Sequence, residues 1–145
     1  MALFGLLGGT PKRITTPVDP QWVKNKSGGF HQLMKLDTAE AGLSGVGGVY
    51  VIWHGGVKPG WVYIGETDDL SLALDDAADN PDINQYEING KLSVTWSRIR
   101  KEMRPGVVLY LTKGLKPRID NPDAPKEETN RILAVPVKLP GAKAG

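Results

Sequence analysis

The stretch that decides the fold is GGVYVIWHGGVKPGWVYIGETDDLSLALDDAADN, residues 47–80. GVYVIWH is a run of β-branched and aromatic residues, types that suit a pleated and covered surface, and it predicts a strand. GGVKPG then supplies a turn and WVYIGE a second strand, so the pair makes a hairpin. Thr67 is placed to cap a following helix, with Asp68 and Asp69 in a first turn where the helix dipole favours carboxylates. Leu70, Ala73, Leu74 and Ala77 recur at helical spacing as a buried stripe, and Asn80-Pro81 closes the element.

Downstream, LSVTWSRI alternates Leu92, Val94 and Trp96 and predicts a third strand after a loop, with Trp96 turned into the core. PGVVLYLTKGL predicts a second helix, opened by Pro105 and stopped by Pro117. RILAVPVKLP predicts a last strand at a sheet edge, because Pro136 has no amide to donate. Upstream, residues 1–46 are rich in Gly, Pro, Thr and Lys and form an arm or accessory segment, with at most one short helix in FHQLMKLDTAEAGL. The expected organisation is α/β (α+β): a small antiparallel sheet flanked by helices in the order ββαβαβ over residues 47–140, with residues 141–145 a disordered tail.

The chain has 145 residues, 40% of them hydrophobic, enough for one domain with its own core. It contains no cysteine, which excludes disulfides and thiolate metal sites and agrees with a cytoplasmic setting. MALFGLLGG is too short for a secretory core segment and has no basic lead, and nothing approaches the ~18 apolar residues of a membrane span. The expectation is therefore a cytoplasmic protein without membrane contact, whose N-terminal arm docks elsewhere.

Net charge is +2 but unevenly placed: residues 66–87 hold eight acids and no Lys or Arg. Positions 98–118 hold seven bases, namely Arg98, Arg100, Lys101, Arg104, Lys113, Lys116 and Arg118, against the single acid Glu102. Such a segment suits phosphate or an acidic partner surface, although Trp96, the aromatic just before it, points inward.

Gly48-Val49-Tyr50 followed by Tyr63-Ile64-Gly65 resembles the paired motifs of the GIY-YIG nuclease domain, and Glu66-Thr67-Asp68-Asp69-Leu70 is similar to the family's continuation, with Asp69 where Asn is usual. LTKGLKPRID at 111–120 resembles the family's closing motif, so the likeness spans about residues 47–121. The resemblance implies a small antiparallel sheet with flanking helices. It also implies phosphodiester hydrolysis by strand tyrosines, a first-helix arginine and a second-helix glutamate that holds one divalent metal. Tyr50 and Tyr63 match. The arginine position falls on Ala73, a frequent histidine on Ala77, and the glutamate near Val108.

Three apolar residues at those places imply a vestigial site made of Tyr50, Tyr63, Gly65, Ala73, Ala77 and Val108, with the tyrosine hydroxyls hydrogen-bonded in a structural role. The expected function is a catalytically inactive module, a pseudoenzyme, acting in protein interaction or assembly with a protein partner or itself. One alternative is nucleic-acid or partner binding through Arg98, Arg100, Lys101, Arg104, Lys116 and Arg118. The other is a divergent endonuclease using Mg²⁺ or Mn²⁺, with Glu66, Glu127 or Glu128 as relocated ligands; otherwise no cofactor or metal is expected. His54 is read as a turn residue, and His31 has no ligand partner at suitable spacing.

Overall fold

A computed structural model describes residues 12–56 and 59–141. The parts of the expected arm at residues 1–11 and of the tail at 142–145 lie outside the described residues. Its elements are β1 (His31–Gln32), β2 (Gly48–His54), β3 (Gly60–Thr67), α1 (Leu70–Asp79), α2 (Pro81–Asn84), β4 (Leu92–Ser97) and α3 (Arg104–Leu115). The architecture is mixed α and β, with one four-stranded antiparallel sheet in the order β1-β4-β2-β3.

The near-continuous apolar run of β2 follows from its place inside the sheet, covered on both faces. Tyr50 and Ile52 face Leu70, Leu74 and Ala77 of α1, while Val49 and Val51 face Val107, Val108 and Leu111 of α3. The sheet is thus the middle of three layers. β4 adds Leu92, Val94 and Trp96 to the α1 side, and Trp96 is buried as its alternation requires. Between Ile52 and Trp53 the register with β3 slips, so that Trp53 pairs with Trp61, and Val62 is the extra residue of a bulge.

Helix α1 starts later than the Thr67 cap predicts. The Thr67 hydroxyl accepts from the Asp69 amide at 3.0 Å, and it is the Asp69 carboxylate that accepts from the Leu72 amide at 3.2 Å. Asp68 and Asp69 therefore precede the first turn. The expected loop before β4 holds α2, capped by Asn80 and opened by Pro81, and a 3-10 turn at Gln85–Asn89.

The expected C-terminal strand does not form. Residues 133–138 cross the start of α3, where the Val135 amide donates to Gly106 O at 2.9 Å, and meet the chain near Val18 in a single parallel bridge with Val137. A Cβ on Gly106 would fall 2.3 Å from Leu133 O, so glycine here is what admits the tail. Pro136 removes the amide a ladder would need at that point.

On the other side β1, which lacks any extended pattern, pairs with the edge of β4. The preceding segment is fastened to the same strand by the Val23 amide on Trp96 O, the Thr95 hydroxyl on Val23 O and the Ser97 hydroxyl on Pro20 O. Leu33, Thr38 and Leu43 are buried, and Thr38 hydrogen-bonds Ser71 and Asp75 of α1. None of the helices among the described residues is long and apolar enough to cross a membrane.

Candidate functional site: the tyrosine cleft

Hairpin register sets the geometry of the tyrosines. Tyr50 pairs with Gly65 and Ile52 with Tyr63, which puts both phenols on the α1 face as diagonal neighbours, with ring centroids 6.1 Å apart and planes inclined by 27°. Gly65 is required by this arrangement: a Cβ there would lie 2.6 Å from the Tyr50 hydroxyl oxygen. A cleft of about 300 Å³ opens between the tyrosines and α1. Ala73 and Ala77 line its helical wall, Asp76 stands beside them, and Thr67, Leu72, Asn80 and Ile83 complete the rim.

Burial pushes the Tyr50 phenol well above its ordinary value, and the neighbouring Tyr63, Asp76 and Asp123 add to the effect. Tyr63 is raised as well, by burial and then by Asp123 and Asp120. Both phenols are neutral at physiological pH and neither is poised as a base. The mutual hydrogen bond of the two hydroxyls raises the Tyr50 phenol further and offsets part of the rise at Tyr63. Among the described residues, no Lys or Arg lines the cleft.

The set Tyr50, Tyr63, Gly65, Ala73 and Ala77 comes together, but Val108 does not join it. Val108 is buried on the opposite face of the sheet beside Val49 and Ile64. Glu66 also leaves the cleft, because it pairs with Val49 and so projects to the α3 side, where burial raises its carboxyl and Arg104 works against that rise. Glu128 is engaged by Arg13 at 2.9 Å and by the Ala134 amide, and Glu127 pairs with Lys113. Among the described residues, no cluster of three or more His, Asp or Glu is arranged to hold a metal ion.

The basic run does not gather into one patch. Arg98, Arg100 and Lys101 are exposed before α3, whereas Lys116 and Arg118 follow its other end, about 18 Å away by the rise of a 12-residue helix. Lys101 pairs with Asp68 at 3.0 Å, and Arg100 reaches Glu102 at 3.9 Å. Arg104 is buried and structural: its guanidinium donates to Ile99 O at 2.7 Å, Thr67 O at 3.1 Å and the Asp68 carboxylate at 2.7 Å. Gly47 makes room for it, since a Cβ there would sit 2.2 Å from Arg104 Nη2.

His54, expected in a turn, instead ends β2 buried and stacked on Tyr86 at 5.8 Å, with neither ring nitrogen hydrogen-bonded among the described residues. His31 stacks on Trp96 at 5.2 Å. Two cleft residues escaped the sequence reading, Asp76 and Asn80. Their spacing from Ala73 and Ala77 places all four on one helical face, a signal hidden by attention to the apolar stripe alone. Compared with protein-family models, with curated proteins and with solved structures, the chain matches none.

Proposed function

We propose that this chain is a catalytically silent GIY-YIG-like module that works in protein interaction or assembly. The observation that carries the proposal is the content of the cleft, where two neutral tyrosines face Ala73, Ala77 and Asp76. Phosphoryl transfer needs positive charge on the phosphate and a means of deprotonating water. Here the nearest helical charge is a carboxylate, and the phenols hold their protons. A phosphodiester entering from the α1 side also meets Asp69, Asp75, Asp76 and Asp79, an electrostatic field of the wrong sign.

Nucleic-acid binding is a weaker proposal, because Arg104 is consumed internally and the remaining bases stand at two ends of α3. Exposed Arg98 and Arg100 are the residues on which it would rest. The test is incubation of purified protein with supercoiled plasmid in Mg²⁺, Mn²⁺ or EDTA at two salt concentrations. The plasmid is expected to remain intact and unshifted. Metal-dependent nicking that disappears in Tyr63→Phe would overturn the proposal, and a salt-sensitive band shift without nicking would replace it with the nucleic-acid reading.

A further inference from the structure

We propose that a second copy of this chain seats the outer face of its α1 in a groove beside α3, so that copies assemble head to tail. The inference rests on the assembly reading above and names the partner.

The two surfaces match in shape and in charge. Leu72, Asp75, Asp76 and Asp79 are exposed and spaced i, i+3, i+4 and i+7, so they share the outward face of α1. Leu72, 64% exposed, is an apolar knob with acids one and two turns beyond it. Among the described residues Asp76 and Asp79 make no ion pair, while Asp75 accepts from the Thr38 hydroxyl. On the α3 side of the sheet a groove of about 250 Å³ has a floor of Ile99, Met103, Val107, Val135 and Val137, with exposed Val18 at its edge. That is room for one leucine side chain, since about 150 Å³ already holds a benzene ring. Exposed Arg98 and Arg100 stand on its rim. The rim's one acid among the described residues, Asp19, accepts from the Gln21 amide, and Glu102 reaches Arg100 only at 3.9 Å. Leu72 therefore fills the groove while Asp76 and Asp79 meet the two guanidiniums, which fixes the register.

Position decides the kind of assembly. Residues 66–87 hold eight acids and no Lys or Arg, so α1 repels a copy of itself and a symmetric α1–α1 dimer is disfavoured. Helix α1 covers one face of the sheet and the groove lies on the other. Two copies cannot make both contacts at once, so each addition leaves a free α1 at one end and a free groove at the other. Growth is open-ended.

The experiment is sedimentation of the purified, nucleic-acid-free full chain from about 10 to 500 μM, in salt of about 50 and 500 mM. At low salt the weight-average mass is expected to climb through dimer and beyond with concentration, and at high salt to fall towards the monomer. That response reads the contact without any variant. Two variants changed only at exposed positions, Leu72→Asp and the double Arg98→Glu, Arg100→Glu, should each associate at least about 10-fold more weakly. Mixed, they should form a one-to-one dimer and stop there, because the first keeps its groove and the second its α1. A monomer at every concentration, an unaltered chain that stops at a dimer, association unmoved by either variant, or a mixture no larger than its parts would each overturn the inference. With an intact plasmid, any of those results removes the head-to-tail contact alone; nicking removes the silent-module reading whatever the sedimentation shows.

Discussion

The Tyr50 phenol lies across the space where a side chain on Gly65 would begin, with 2.6 Å between its hydroxyl oxygen and an ideal Cβ at position 65. Gly65 of β3 and Tyr50 of β2 are therefore one packing unit, each admitting the other. Gly65→Ala should destabilise the protein by about 1–3 kcal/mol, as overpacking does. In a Tyr50→Leu background the ring is gone, and the same change should be neutral or stabilising, since alanine suits a strand better than glycine. Denaturant unfolding of the four proteins measures the coupling.

Arg104 ties α3 to two other parts of the chain, donating to acceptors on residues 67 and 68 and on residue 99. Arg104→Ala leaves the Ile99 and Thr67 carbonyls without that donor and should cost about 2–4 kcal/mol. Arg104→Lys should recover little, because one ammonium cannot span the three acceptors of a planar guanidinium. Asp68→Ala should cost much less than Arg104→Ala, since that carboxylate is mostly exposed and solvent screens it. Urea midpoints of the three variants decide.

Arg13 and the Ala134 amide hold the Glu128 carboxyl down at about 2, from an ordinary 4.5. A depressed carboxylate contributes stability that is complete above its unfolded value and is lost as pH falls from about 4.5 towards 2. Glu128→Gln should flatten that part of the acid limb of the melting temperature and leave the shape of the curve near neutrality alone.

His54 acts in a different window. Burial, with a smaller effect of Arg118, lowers its pKa from 6.5. The unfolded chain then takes up the proton first, so stability is full above pH 6.5 and declines as pH falls below it. His54→Phe, which preserves a ring to stack on Tyr86, should remove that decline. Melting temperatures between about pH 5 and 8 separate the two proteins.

Much of the fold is legible in periodicity. β2, β3, α1, β4 and α3 all lie where apolar spacing and proline put them, and Trp96 is buried where alternation sends it. The misses share a cause, which is contact between distant segments. The two residues of β1 have no pattern of their own and exist by pairing with β4. The tail looks like a strand in sequence, yet its backbone groups go to Gly106 and Val18. Cap chemistry is ambiguous at one-residue resolution where Thr67 and Asp69 both qualify, and the Thr67 bond to the Asp69 amide decides it. In the site, the tyrosine pair follows from hairpin register, whereas the dispersal of the basic run does not, because nearness along the chain says nothing of a guanidinium drawn inward beside Gly47.

The proposed catalytic silence of the cleft rests on phenols that keep their protons, and the most direct measurement is a pH titration of the ring carbons of Tyr50 and Tyr63 by NMR. Both should remain protonated past the ordinary phenol value of 10.0, with Tyr50 the later of the two. A Tyr50 or Tyr63 ring that titrates near neutrality, at about pH 8 or below, would contradict this and return a working base to the site.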